Sequence, residues 1–129
     1  MKINSNSITL CLLIIILSIS CRLENKKSNL PMPDDNVEQI VIGLNSDEFG
    51  ITHESTINEI TQILKKAYKS EIKQAGKEII RIQIKTSNPQ NGQTYLLDKE
   101  NECISVLSMK KTTKFKIDEF EKLNKLIKQ

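Results

Sequence analysis

Few side chains in this 129-residue sequence could carry chemistry. The single histidine, His53, is followed by Glu54, and Asp47 and Glu48 stand a few residues earlier. These groups could act in acid-base catalysis or bind a divalent cation through oxygen ligands. The stretch lacks the alternating acids and central glycine of an EF-hand, and it lacks the second histidine that zinc requires at helical spacing. We therefore expect no metal and no cofactor, and we interpret the stretch as an acidic, solvent-exposed surface.

The three cysteines do not predict a disulfide framework. Cys11 lies within an apolar run near the N-terminus, Cys21 follows that run, and Cys103 lies in the strand-like stretch CISVLSM. A nucleophilic Cys103 would need His53 as its base, and nothing in their spacing requires the two to meet. We interpret Cys103 as a small buried hydrophobe. Because phosphate-binding glycine loops and the G-x-S-x-G and H-E-x-x-H patterns are also absent, we predict a protein without catalytic residues.

Residues 1–20 have the layout of a secretory signal peptide. Lys2 stands among Asn and Ser, an apolar core runs from Ile8 to Leu17, and a short polar exit precedes Cys21. The apolar core is about half as long as the roughly 20 residues that a membrane-spanning helix needs. We therefore predict that this segment directs export and is then removed.

The exit from this segment, Leu17-Ser18-Ile19-Ser20-Cys21, resembles the lipobox of bacterial lipoprotein precursors, which ends in an invariant cysteine. Ser20 matches the small residue before the cleavage site, and Leu17 stands four residues before the cysteine instead of three. The resemblance implies that Cys21 becomes the mature N-terminus and carries acyl chains that hold the protein in a membrane. In this family an Asp directly after the cysteine holds many lipoproteins in the inner membrane. Because Arg22 stands at that position, the resemblance also implies the outer membrane, where the organism has one. The alternative is a secreted protein with a free Cys21.

The mature chain divides into a tether and one domain. Residues 21–36 are polar after Cys21, contain Pro31 and Pro33, and show neither helical nor strand periodicity, so we expect a flexible tether. Residues 37–129 supply enough Ile, Leu, Val and Phe for one modest core.

Hydrophobic periodicity predicts the element order β-α-β-β-β-α. The predicted elements are a strand at Val37–Leu44, a helix with its apolar stripe from Ile57 to Tyr68, strands at Glu78–Thr86, Thr94–Leu97 and Cys103–Met109, and a helix after Asp118. Capping boxes, Thr56 with Glu59 and Asp118 with Glu121, predict the two helix starts. Three consecutive strands with short links form a meander, so we expect a mostly antiparallel sheet with two helices on one face, a two-layer α+β sandwich.

Charge is divided unevenly along the domain. From Asp34 to Glu59 there are seven acids and no Lys or Arg, whereas from Ile60 onward fifteen cations accompany eight acids. This pattern favours a dipolar domain with an acidic and a basic surface. The candidate basic surface is an edge that contains Lys110, Lys111, Lys114 and Lys116. We expect no nucleic-acid partner for it, because the chain is predicted to be exported and no aromatic residues are interleaved for base stacking.

These patterns favour a small lipid-anchored protein of the bacterial envelope whose domain lies outside the cytoplasm. The leading hypothesis is a non-enzymatic module that binds an envelope protein, as an inhibitor, an immunity-type protector or an accessory subunit. The candidate partner-binding residues are Asp47, Glu48, His53, Glu54, Lys110, Lys111, Lys114 and Lys116. One alternative is a structural or surface lipoprotein that contacts wall polymer or host glycans through the basic edge. Another is an unrecognised hydrolase that uses the acidic stretch.

Overall fold

A computed structural model describes residues 29–72, 74–110 and 113–128 of the chain. The predicted signal peptide, the lipidation candidate Cys21 and the basic-edge residue Lys111 lie outside these residues. The elements are β1 (Val37–Leu44), β2 (Asp47–Ile51), α1 (Glu54–Lys65), β3 (Tyr68–Ser70), β4 (Ile79–Thr86), a 3-10 helix (Pro89–Asn91), β5 (Gln93–Asp98), β6 (Cys103–Val106), β7 (Lys114–Lys116) and α2 (Phe120–Ile127).

The strands form a single seven-stranded sheet in the order β2-β1-β4-β5-β6-β7-β3, and each neighbouring pair is antiparallel. The sheet and its two helices confirm the predicted α+β class and its layout. Strands β2 and β3 form the edges. Because β3 and β4 are separated by three strands, the connection at residues 71–78 has to cross β7, β6 and β5.

The core lies between one face of the sheet and the two helices. On β4, Ile80, Ile82 and Ile84 are buried while Arg81 and Lys85 are exposed, as the two-residue period of a strand requires. The helices add an apolar stripe at three- and four-residue spacing. The buried helical residues are Ile57, Ile60, Ile63 and Leu64 on α1, and Phe120, Leu123 and Ile127 on α2. Within the described residues, neither helix is long and apolar enough to cross a membrane.

Both predicted capping boxes are wrong. Helix α1 begins at Glu54 with His53 as its N-cap, and α2 begins at Phe120 with Glu119 as its N-cap; neither side chain caps a backbone N–H group of its helix. Thr56 therefore lies inside the first turn of α1. The helix begins early because only Thr52 and His53 separate β2 from α1.

Three short strands were not predicted, and each is defined by its pairing. Strand β2 forms a hairpin with β1 through the two-residue turn Asn45–Ser46, in which Asn45 adopts a φ of 56°. Tyr68, predicted to continue the helix, instead begins β3 and pairs with Lys116 of β7. These strands have three to five residues, too few for periodicity to identify.

Residues 29–36, the second half of the expected tether, lie against the domain. Leu30 is part of the core, and its backbone N–H donates to the Ala67 carbonyl over 3.0 Å. Asn29 forms a β-bridge with Tyr68, and the buried Tyr95 hydroxyl donates to the Pro31 carbonyl over 2.6 Å. The segment therefore covers the outer side of β3, and the packed domain includes these residues.

Candidate functional site

Residues 74–78, which belong to the connection between β3 and β4, lie over the sheet face opposite the helices. This connection is fixed at three points: the Gly76 N–H donates to Asp98 Oδ2 over 2.7 Å, the Asn101 amide donates to the Gln74 carbonyl over 2.8 Å, and the Lys99 N–H donates to the Glu78 carbonyl over 3.3 Å. The crossing chain and the sheet below it form the two sides of a cavity on this open face.

Asp98 holds this arrangement together. Its carboxylate is buried and accepts hydrogen bonds from the backbone N–H groups of Gly76, Glu100 and Asn101 and from the Asn101 side-chain amide. Burial alone would raise the pKa of Asp98, but these donors outweigh it and lower the pKa. A side chain at position 76 would collide with Asp98, so only glycine permits this approach. A carboxylate with its acceptor positions filled in this way positions the chain and is unsuited to act as a base.

The open face carries an apolar groove of about 410 Å³. Its lining residues are Ile72, Ala75, Ile79, Leu96, Asp98, Cys103, Ser105, Val106, Leu107, Met109 and Lys114. Ile79, Leu107 and Met109 are 40%, 57% and 39% exposed, and all three line this groove, so the exposed apolar surface is clustered. This volume falls within the roughly 300–1,000 Å³ typical of small-molecule sites. We call this cavity the open-face groove.

Cys103 lies on the floor of the open-face groove as a free, buried thiol. Burial raises the pKa of Cys103, and the negative charge of Asp98 raises it further, so the thiol stays protonated at neutral pH. His53 lies beyond the end of β2, and β2 and β6 are four strand spacings apart, or about 19 Å. The His53 ring is instead 2.8 Å from the Ser55 hydroxyl. The structure therefore does not bring Cys103 and His53 together.

The acidic candidates fall into two groups. Asp47 and Glu48 begin β2, whereas His53 and Glu54 follow its other end, about 13 Å along a five-residue strand. Glu48 forms an exposed ion pair with Arg81 of β4. Within residues 29–72, 74–110 and 113–128, no group of three or more His, Cys, Asp or Glu side chains could hold a metal ion.

The basic candidates do not form one uniform edge. Strand β7, which carries Lys114 and Lys116, lies inside the sheet because β3 pairs with its outer side. Lys116 Nζ lies 3.7 Å from Glu102 Oε2 and also donates to the Asn101 carbonyl. Lys114 instead lines the open-face groove, and Lys110 is exposed in the connection from β6 to β7. The three described lysines therefore have different surroundings.

Two exposed apolar side chains on the hairpin of β1 and β2 were not predicted from the sequence. Phe49 and Leu44 are 37% and 38% exposed, and the register Ile42–Phe49 and Leu44–Asp47 makes them diagonal neighbours on one face. The sequence DEFGI of β2 is the local stretch that could have predicted this surface. Because Gly50 has no side chain, the alternation of polar and apolar residues that identifies a strand is incomplete there. The open-face groove has no local signal, because its walls come from separate parts of the chain.

Comparison of the chain with protein families, with curated proteins and with solved structures finds no match. Function must therefore be argued from the two exposed features themselves, the outer edge of β2 and the open-face groove.

Proposed function

We propose that this chain is a lipid-anchored, non-catalytic protein of the bacterial envelope that binds a protein partner through the outer edge of β2. One observation carries the proposal: β2 is the last strand on its side, and its residues 47–50 are all exposed. An exposed edge strand presents unpaired N–H and C=O groups, to which an extended segment of another protein can add as a further strand.

The two sheet edges differ in this respect. Asn29 forms a bridge with Tyr68 of β3, and Leu30 donates to the Ala67 carbonyl just before that strand, whereas no described residue pairs with the outer side of β2. Natural sheets commonly protect edges with lysine, proline or a covering segment. Strand β2 has no lysine or proline, and no described segment covers its outer edge; its two charged side chains, Asp47 and Glu48, attract a basic partner strand and repel an acidic one.

The side chains around β2 indicate the chemistry of the partner. Asp47 and Glu48 place two carboxylates at the start of the strand, and Phe49 and Leu44 supply an exposed apolar pair beside them. Aromatic side chains often anchor protein interfaces, while charge complementarity selects the partner and speeds its approach. We therefore propose a partner strand that carries Lys or Arg next to an apolar residue.

Affinity capture of the full-length protein from its native envelope tests the anchor and the partner together. Mass spectrometry of the mature N-terminus should find an acylated Cys21, and the captured material should contain one protein in stoichiometric amount. An unmodified N-terminus would overturn the lipid anchor, and it would favour a secreted protein.

Two variants test the docking edge. Asp47→Lys reverses the charge and Phe49→Lys removes the apolar anchor, and each should lower recovery of the partner at least tenfold, about 1.4 kcal/mol. Glu121→Lys makes the same charge reversal at an exposed position of α2 and is the matched control. Retention of the partner by both β2 variants would refute docking at this edge. Loss of the partner with Lys110→Glu instead would place the protein contact on the basic side of the domain.

A further inference from the structure

We propose that the open-face groove binds a single-chain alkyl carboxylate, with the alkyl chain across β5 and β6 and the carboxylate beside Lys114 and Ser105. This site is separate from the outer edge of β2, so it does not depend on the proposed protein partner.

The shape and lining of the groove favour an alkyl chain. Its lining extends from Ile79 on β4 to Lys114 on β7, which is three strand spacings or about 14 Å. The apolar lining residues are aliphatic apart from Cys103 and Met109, and no aromatic ring lines the groove for stacking against a planar ligand. An apolar path across several strands suits an extended hydrocarbon chain.

Ser105 and Lys114 lie at the β7 end of this path, whereas Asp98 lies opposite Ile79 near the other end. Ser105 lines the groove, and its side chain makes no hydrogen bond within the described part of the chain. The register of β6 and β7 pairs Ile104 with Phe115, and continuing it by one residue places Ser105 opposite Lys114. The Ser105 hydroxyl can therefore donate a hydrogen bond to a carboxylate bound beside Lys114.

The charge at this end is positive. Lys114 forms no ion pair within the described part of the chain, unlike Lys116, which is next to Glu102. Asp98 is the one carboxylate among the lining residues, and four N–H donors already engage it. The free charge that faces a ligand is therefore the Lys114 ammonium, which selects an anionic head over a neutral one.

Binding of dodecanoate, measured by calorimetric titration below its micelle concentration, tests this proposal. The protein is the full chain with Cys21→Ser, purified as the cell produces it, so that no detergent competes for the groove. We expect one saturable site, and decanoate should bind roughly 15-fold more weakly, because each buried CH₂ contributes about fourfold. Absence of saturable binding, or affinity independent of chain length, would overturn the proposal.

Variants separate the head site from the chain site. Lys114→Gln should weaken dodecanoate at least tenfold and leave dodecanol unchanged, whereas Leu107→Glu should weaken both ligands at least tenfold. Lys125→Gln makes the same change as Lys114→Gln at an exposed position of α2, away from the groove, and should bind as the parent does. Equal loss of both ligands in Lys114→Gln, or loss in Lys125→Gln, would refute the assigned geometry. Circular dichroism confirms that each variant is folded.

Discussion

The substitution Asp98→Asn tests whether one buried carboxylate fixes the crossing connection. In the native chain Oδ1 accepts from the N–H groups of Glu100 and Asn101, and Oδ2 accepts from the Gly76 N–H and the Asn101 amide. In either orientation an asparagine amide would turn an NH₂ group toward two of these donors. Each donor left unpaired costs about 1–3 kcal/mol. The Asn101 side chain can turn away from the new NH₂ group, whereas a backbone N–H cannot, so we expect a total loss of about 2–4 kcal/mol in the free energy of unfolding.

Urea unfolding followed by far-ultraviolet circular dichroism measures this loss at pH 7. We expect a lower midpoint with an unchanged m-value, and a fall in Tm of about 10–25 °C for a domain of this size. Glu48→Gln is the matched control, because it removes an exposed carboxylate whose ion pair with Arg81 is worth less than about 1 kcal/mol. If Asp98→Asn destabilises the protein no more than Glu48→Gln, the assigned role of Asp98 is incorrect.

The pH dependence of the unfolding free energy, compared between wild type and Asp98→Asn, gives a second test of the role of Asp98. The pKa of Asp98 is lower in the folded state than its ordinary value of 3.8, so its ionisation stabilises the fold fully above that value. The stabilisation is lost as the pH falls through the folded-state pKa. The difference in unfolding free energy between wild type and Asp98→Asn should therefore be constant from pH 7 to about pH 5 and narrow below about pH 4. A difference that stays constant down to pH 2 would contradict the ionised state.

Three further predictions concern other buried groups. Leu30→Ala should destabilise the domain by about 2–4 kcal/mol in urea unfolding, because Leu30 belongs to the core; a loss below about 1 kcal/mol would mean that this segment is a tether. Tyr95→Phe should lose about 1 kcal/mol by the same measurement, because it removes the hydrogen bond to the Pro31 carbonyl. Cys103 should resist iodoacetamide at pH 7.5 in the folded protein and react in urea, as followed by mass spectrometry.

The longer elements could be predicted because their patterns are local. Ile80, Ile82 and Ile84 alternate with Arg81 and Gln83. Among the regular structures, a strand is the one that places all three isoleucines on the same face, so the pattern predicts a strand. The stripe on α1 specifies a helix by the same argument, with a period of 3.6 residues. The α+β class follows from the order of these elements and the short links between the strands of the meander.

The ends of the elements and the short strands were decided by tertiary contacts. Tyr68 continues the helical stripe in the sequence, yet it begins β3, because pairing with Lys116 of β7 satisfies its backbone. Leu30 lies in a polar, proline-containing stretch that carries no periodicity, and its burial depends on β3 being in place. No local pattern contains this information.

Local patterns in the sequence are enough to predict which segments form the main strands and helices, the resemblance of the N-terminus to a lipoprotein signal, and the uneven distribution of charge. The packed fold is needed to show that β2 is an edge of the described sheet, that β7 is internal, and that residues 74–78 lie over the open face beside a groove lined by Ser105 and Lys114. The physical reason is distance along the chain: periodicity reports which face of an element is buried, whereas an edge or a groove depends on which distant strands become neighbours.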